Sequence, residues 1–116
     1  MDVRHRNRVK IVQELFSYEF KAKIKKPLLK KIVDQFPHLD NEISSAAPKY
    51  EVSKIAKVDL SILRLATFEL LISKLQPTKV IINEAIELAK ELGSEKSPGF
   101  VNAVLGKIVI KNKIKI

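Results

Sequence analysis

Apolar residues fill most of the fifteen positions from 58 to 72, VDLSILRLATFELLI, at helical spacing and with little polar face left. A helix that is apolar nearly all round is either buried on several sides or spans a membrane. This one is too short, and too closely flanked by charge, to span a bilayer. The pattern therefore predicts a central helix that the rest of the chain wraps.

Three polar residues interrupt the predicted central helix. Asp59 suits the N-cap or the first turn, because its carboxylate can accept hydrogen bonds from unpaired backbone amides there. Arg64 and Glu69 lie farther inside, where an unpaired charge would be costly. Both are therefore predicted to have partners and a structural role.

Apolar stripes on either side of the central helix predict shorter helices. Pro37 is expected to end one of them and Gly93 to stop another. Asp2, Thr78 and Ser97 are the predicted N-caps. The predicted helices cover residues 3 to about 23, 28–36, 39–47, 78 to about 92 and 97 to about 111, with a brief turn between 50 and 56.

No segment alternates polar and apolar residues with a period of two, apart from the ambiguous C-terminal stretch KIVIKNKIKI. The sequence therefore predicts an all-α fold, a compact bundle of six to seven short helices. Its 116 residues suffice for one domain with a single modest core. Within residues 1–116 we distinguish an N-terminal helical part, 1–57, and a C-terminal helical part, 58–116.

The chain contains no cysteine, which excludes disulfides and thiolate metal sites and favours a cytoplasmic protein. Its first ten residues, MDVRHRNRVK, lack the apolar segment of a secretory signal. No HExxH, GxSxG or Gly-rich phosphate loop occurs. Glu84 and Glu87 are interpreted as an exposed helical face balanced by Lys90. We therefore predict no enzyme activity, no metal site and no cofactor.

Positive charge is concentrated at the start of the chain. Residues 1–31 hold ten Lys/Arg and three Asp/Glu, out of a net charge of +9 for the whole chain. Arg4, Arg6, Arg8 and Lys10 fall in the first turns of a predicted helix, where the helix dipole disfavours cations. Phosphate is the obvious ligand for such a cluster. The alternative is a solvated basic helix end without a partner.

Phe100 falls in the first turn of the last predicted helix, and Lys96 lies just before that helix. An aromatic ring at an exposed helix end can stack on an unpaired base, and sequence-specific RNA recognition mostly targets single strands. The alternative is that Phe100 anchors the loop to the core. Residue type alone favours the core anchor.

Three stretches resemble the family of the bacterial transcription antitermination factor NusB. VDLSILRLATFELL is similar to its V-D-x-x-I-L-R-L-A-x-x-E-L-L block, and KVIINEAIELAKELGSEKSPGFVNAVLGKI resembles a second long, ungapped block. RHRNRVKIVQELFSYEF is similar to the family's basic opening. Together these stretches cover about two-thirds of the chain.

The resemblance implies an all-helical protein without catalysis that binds the boxA element of ribosomal RNA leaders as single-stranded RNA. Family members do so with the ribosomal small-subunit protein NusE, in an antitermination complex on RNA polymerase. Residues at matching positions are expected to share these roles. Those expected at the RNA are Arg4, Arg6, Arg8, Lys96 and Phe100, with Phe100 stacking on a base, and those expected at the ribosomal protein are Phe16 and Asp59.

The chain departs from the family pattern in three places. The aromatic residue of the L-[YF] position is Phe16, so any partner contact made through a hydroxyl is expected to be lost. The stretch between Phe20 and Asp59 is shorter than in most members, so the N-terminal part is expected to be trimmed and its partner surface is less certain. Lys96 replaces a commonly acidic residue, which should strengthen phosphate attraction. Two other functions stay open: a detached RNA-binding module that works with a ribosomal RNA methyltransferase, and a protein-binding helical adaptor. A homo-oligomer is also compatible with the family.

Overall fold

Six α-helices make up most of the computed structural model, which describes residues 2–20 and 23–116. No β-strand occurs in these residues, so the predicted all-α bundle is confirmed. A short 3₁₀ turn, Val52–Lys54, fills the predicted brief turn before the central helix. The helices are α1 Val3–Tyr18, α2 Pro27–Asp34, α3 Phe36–Ala46, α4 Lys57–Phe68, α5 Thr78–Leu92 and α6 Ser97–Lys111.

Helix α4 is the predicted central helix, and every residue from Asp59 to Phe68 is buried. It packs against α1, α3, α5 and α6, which explains why almost no polar face remains in its sequence. The α-helical hydrogen bonding ends at Phe68, four residues earlier than predicted, and a π-helical turn, Glu69–Ser73, continues the axis. The turn closes at Lys74, whose φ of 52° is left-handed and whose amide donates to the Glu69 carbonyl.

One hydrophobic core joins all six helices. Its fully buried members include side chains from α1, from the two short helices α2 and α3, and from both C-terminal helices. Examples, each with no exposed surface, are Leu15, Ile32, Leu39, Ile43, Ile62, Leu63, Ala89, Val101, Leu105 and Ile108.

Several predicted helix ends are wrong by a few residues. Helix α1 ends at Tyr18 rather than near Lys23, and residues 21 and 22 lie outside the described part of the chain. Pro37 does not end a helix but lies in the first turn of α3, where its missing amide hydrogen costs nothing. The boundary between the second and third helices therefore falls at Gln35, which caps both.

The predicted caps have mixed outcomes. Asp2 is confirmed, because its carboxylate accepts from the Arg4 amide at 3.1 Å. Thr78 and Ser97 are not N-caps but first helical residues, since Pro77 and Lys96 occupy the cap positions. The Thr78 hydroxyl instead donates to the Lys115 carbonyl, which ties the C-terminal tail to the start of α5.

Gly93 ends α5 as predicted. Glycine is needed there because a side chain would not fit, and not because the backbone is left-handed. Its φ is −96°, a conformation open to any residue. A Cβ atom there would lie 2.5 Å from the Ser97 Oγ and 2.8 Å from the Ala89 carbonyl oxygen. The Ser97 hydroxyl approaches so closely because it accepts from the Ser94 amide at 2.9 Å and thereby fixes the α5–α6 loop.

Candidate nucleic-acid interface

The three arginines predicted to contact RNA lie on different faces of α1. Residues two apart in an α-helix point about 200° from each other. Arg4 and Arg6 are exposed, whereas Arg8 is only 7% exposed and faces the interior. Arg4 donates one weak hydrogen bond to the Gln76 side chain, at 3.3 Å. Two of the three guanidinium groups therefore reach solvent, but on opposite sides of α1: Arg6 on one side, and Arg4 on the side that it shares with Arg8.

Arg8 forms a bidentate ion pair with Glu69, the first residue of the π-helical turn. Its Nε and Nη2 donate to the two carboxylate oxygens at 2.9 and 2.8 Å. The hydrogen bonds from Glu69 raise the pKa of Arg8 above its ordinary value. Glu69 thus has the partner predicted for it, whereas an RNA contact of Arg8 stays a prediction that this geometry does not favour.

His5 joins the first turn of α1 to α5, a contact that the sequence did not suggest. Its Nδ1 lies 2.6 Å from Glu84 and its Nε2 lies 2.7 Å from Glu91. Hydrogen bonds to Glu84 and then Glu91 raise the pKa of His5 above its ordinary value. The interpretation of Glu84 as part of an exposed face is therefore wrong, since its side chain is half-buried against His5, whereas Lys90 pairs with Glu87.

This clamp fixes the first turn of α1 on α5, the helix that precedes the second predicted site. Glu91 belongs to the last turn of α5, and Lys96 follows it by five residues across the loop. The contact between His5 and Glu91 therefore holds the first turn of α1 against the last turn of α5, whereas Arg4 reaches Gln76, before the start of α5. The two carboxylates approach opposite edges of the imidazole and do not converge on one point, so the arrangement does not suit a metal ion. No metal-binding group of three or more His, Cys, Asp or Glu was found in the described residues.

Lys96 and Phe100 start helix α6. Lys96 is the N-cap, it is exposed, and its carbonyl accepts from the Phe100 amide at 3.2 Å. Phe100 is half-buried and packs against the core, and its ring also meets the Tyr50 ring edge-on at a centroid distance of 5.3 Å. Phe100 is thus a core contact with a partly exposed ring, which leaves both sequence interpretations standing.

Phe16 and Asp59, the predicted partner contacts, lie in the last turn of α1 and the first turn of α4, respectively. Phe16 is half-buried and packs against the exposed Phe20 at a centroid distance of 5.1 Å. Asp59 lies in the first turn of α4, as predicted, but is only 8% exposed. Its Oδ1 atom has no hydrogen-bond partner among the described residues. Both roles stay predictions.

Arg64 has the partners and the structural role predicted for it. It is 6% exposed, and its Nε and Nη2 each donate to Asp40 of α3 at 2.9 Å. Its Nη1 donates to Glu19, and its guanidinium lies 3.8 Å above the Phe36 ring. Burial alone would lower the pKa of Arg64, but the hydrogen bonds to Asp40 and Glu19 outweigh it and raise that pKa.

Tyr50 is an exposed aromatic residue beside Phe100 that the sequence did not single out. The sequence placed it only in a brief turn before the central helix, and 52% of it is exposed beside Phe100. Its neighbours carry the signal that could have identified it. The segment APKYEVSK places one aromatic residue among polar residues just after a proline, which is typical of an exposed loop.

These features define an all-helical domain with exposed basic residues at the start of α1 and a partly exposed aromatic pair at the start of α6. The sequence model of the NusB family matches residues 5–109, and the chain belongs to that family. None of the helices in the described ranges has the length and apolar character needed to cross a membrane.

Curated relatives named "Transcription antitermination protein NusB" match part of the chain. The protein of Roseiflexus castenholzii is 55% identical over 74 residues, 62% of this chain and 52% of that protein. The protein of Clostridium tetani is 46% identical over 80 residues, 69% of this chain and 52% of that protein. The matched stretch thus spans about half the length of these relatives. The predicted trimming between Phe20 and Asp59 stays a prediction.

Solved structures share the fold over almost the whole chain. NusB of T. maritima superposes with a TM-score of 0.82 at 31% identity, covering 99% of both chains. A chain in the structure described as "Crystal Structure of a Plectonemic RNA Supercoil" superposes with a TM-score of 0.79 at 19% identity, covering 97% of this chain and 96% of that one. At that identity the second likeness concerns the fold alone.

Proposed function

We propose that this protein is a non-enzymatic transcription antitermination factor that binds boxA-like single-stranded RNA of ribosomal RNA leaders. The observation that carries the proposal is the set of exposed basic residues at two helix starts, Arg4 and Arg6 on α1 and Lys96 just before the half-buried ring of Phe100 on α6. Guanidinium and ammonium groups neutralise phosphates, and a partly exposed ring stacks on a base. The curated relatives' name supports the same assignment.

The proposed complex forms in the cytoplasm on RNA polymerase and includes the ribosomal small-subunit protein NusE. Its contact surface on this chain is the junction of α1 and α4, with the Phe16 and Phe20 rings and Asp59. The exposed part of this aromatic pair is an apolar surface that a partner can cover. Asp59, in the first turn of α4 and 8% exposed, is the second residue to which the family resemblance assigns this contact.

The RNA part of the proposal is tested by titrating labelled boxA-like RNA and a scrambled strand of the same composition over a range of salt. We expect at least about tenfold tighter binding of the boxA-like strand. The Arg4→Ala/Arg6→Ala variant should reduce the slope of log affinity against log salt by about 1.4, since each single-strand phosphate contact contributes about 0.7. Lys30→Ala, which removes one exposed charge from α2, is the matched control. Equal affinity for both strands would overturn the proposed RNA specificity.

The partner part is tested by repeating the titration with and without purified NusE. We expect NusE to tighten binding of the boxA-like strand in the wild-type protein. Phe16→Ala should abolish this gain while leaving the affinity for RNA alone unchanged. If NusE changes nothing in the wild type, the partner assignment is wrong, while the RNA assignment is judged by the first titration.

A further inference from the structure

The rings of Tyr50 and Phe100 form an aromatic pair on the surface between the end of α3 and the start of α6. Their centroids are 5.3 Å apart and their planes meet at 73°. Phe100 packs against the core, whereas Tyr50 is 52% exposed. A ring whose only task were packing would bury most of its surface. Tyr50 therefore leaves apolar ring surface in solvent beside the residue proposed to stack on a base.

The loop that carries Tyr50 is held in position by α3 and α6. The Tyr50 amide donates to the Ala47 carbonyl at 3.0 Å, which makes a turn just after α3. Lys111 of α6 donates to Glu42 and Ser45 of α3, at 3.1 and 3.0 Å, and thereby ties the two helices together. Because both supports are fixed, the ring needs little ordering before it binds a ligand.

The near-perpendicular planes restrict what the pair can bind. Two rings at this angle cannot stack on the two sides of one flat base. They suit two bases that are turned relative to each other, an unstacked step that single-stranded RNA adopts and a double helix does not. The geometry therefore selects a single strand bent at this point.

Positive charge surrounds the aromatic pair. Lys49 precedes Tyr50, and Lys96 lies one helical turn before Phe100. Lys107 follows Phe100 by seven residues, which places it on the same face of α6, two turns on. All three are exposed, and none forms an ion pair in the described part of the chain. Such lysines can neutralise the phosphates on either side of the two bases.

We propose that Tyr50 is a second stacking residue, which holds the base next to the one on Phe100, with Lys49 and Lys107 on the flanking phosphates. The inference rests on the proposed RNA-binding function and adds a residue and a strand geometry to that same surface. It assigns recognition of an unstacked dinucleotide step to the end of the molecule where α3 and α6 meet.

Intrinsic fluorescence reports directly on Tyr50. The chain has no Trp and two Tyr, Tyr18 and Tyr50, so Tyr18→Phe leaves Tyr50 as the only emitter. Tyr18 packs edge-on against Phe36, away from this surface, and keeps its ring in that variant. We expect the boxA-like strand to quench the emission, and a strand of the same length with abasic sites to leave it unchanged. Free tyrosine amide mixed with each strand corrects for absorption by the RNA.

Substitutions at position 50 separate stacking from simple coverage of Phe100. Tyr50→Phe and Tyr50→Trp keep an aromatic face and should bind RNA as wild type does. Tyr50→Leu still covers Phe100 but has no aromatic face, and should weaken binding about five- to a hundredfold. Its affinity for the abasic strand should not change. Thermal unfolding of each variant establishes that it is folded.

The outcomes distinguish this inference from the proposed function. If the wild type binds RNA but Tyr50 is not quenched and Tyr50→Leu binds normally, the inference is overturned and the proposed function stands. If Tyr50 is quenched equally by boxA-like and scrambled strands, the inference stands and the proposed sequence preference is overturned. If the wild type binds no strand, both are overturned. The quenching measurement decides even if Tyr50→Leu fails to fold.

Discussion

Arg8 and Arg6 belong to the same turn of α1, but one lies in the interior and the other on the outer surface. Arg8, like Arg64, is buried and held by carboxylates from distant helices. Arg6, like Arg4, is exposed. The buried guanidinium groups are paired with carboxylates and join separate parts of the fold, whereas the exposed ones add little to stability and can bind phosphate. The residue type is the same in both roles. The presence of a carboxylate partner distinguishes a structural arginine from one that is available to a ligand.

Removing Arg64 should have the largest effect on folding. Arg64→Ala leaves Asp40 and Glu19 without their shared cation, and such a loss costs about 3–5 kcal/mol of unfolding free energy. That is a large part of the stability of a small domain. Urea unfolding measures it, and Arg64→Lys, which keeps the charge but not the bidentate geometry, should be intermediate. Lys30→Ala, which breaks an exposed ion pair with Asp34, should change stability by less than about 0.5 kcal/mol.

An unfolding free energy of Arg64→Ala within about 1 kcal/mol of wild type would contradict this account of the buried network. It would mean that packing alone joins α1, α3 and α4. The structural role of buried arginines in this fold would then rest on Arg8 alone.

Substituting Arg8 and Arg6 separately tests the comparison within one helix. Arg8→Ala should cost about 2–3 kcal/mol of stability, because Glu69 loses its partner while keeping some contact with solvent. Arg6→Ala should change stability by less than about 0.5 kcal/mol, but weaken RNA binding about three- to tenfold at low salt. Urea unfolding and RNA titration are measured on both variants.

The opposite results would contradict the assignment of a structural role to Arg8 and a binding role to Arg6. If Arg8→Ala folds as stably as wild type and loses RNA affinity, then Arg8 leaves Glu69 to bind RNA, as the family resemblance implied. If Arg6→Ala loses no RNA affinity, the outward face of α1 is the solvated basic helix end that the sequence left open.

The sequence predicted elements whose cause is local and missed contacts whose cause is distant. The apolar residues on nearly all sides of α4 identified it as the central helix, because the spacing of apolar residues depends only on the local sequence. The inward direction of Arg8 depends on Glu69, 61 residues away, and the clamp on His5 depends on Glu84 and Glu91. Neither pairing can be predicted from the local spacing of apolar and polar residues. Tyr50 was missed for the same reason, since its neighbour Phe100 comes from another helix.

His5 is half-buried, between the buried and the exposed arginines. Its substitution should have the smallest effect on stability, and that effect should depend on pH. Because Glu84 and Glu91 raise its pKa in the folded protein, the protonated ring stabilises the fold below its unfolded pKa of about 6.5. This stabilisation is lost as the pH rises through the higher, folded pKa. His5→Gln should therefore lower Tm more at about pH 6 than at about pH 9, with a difference on the order of 1–3 °C.

The matched control is His38→Gln, which removes an imidazole from an exposed position on α3. The RNA titration adds a second readout, because the clamp fixes the first turn of α1, which carries Arg4 and Arg6, on α5. If the clamp positions this surface, His5→Gln should also weaken RNA binding at about pH 6, even though the imidazole faces α5. A variant with reduced Tm and full RNA affinity would restrict His5 to stability. The two parts of the RNA surface would then be held together by the packing of α1 and α5 alone.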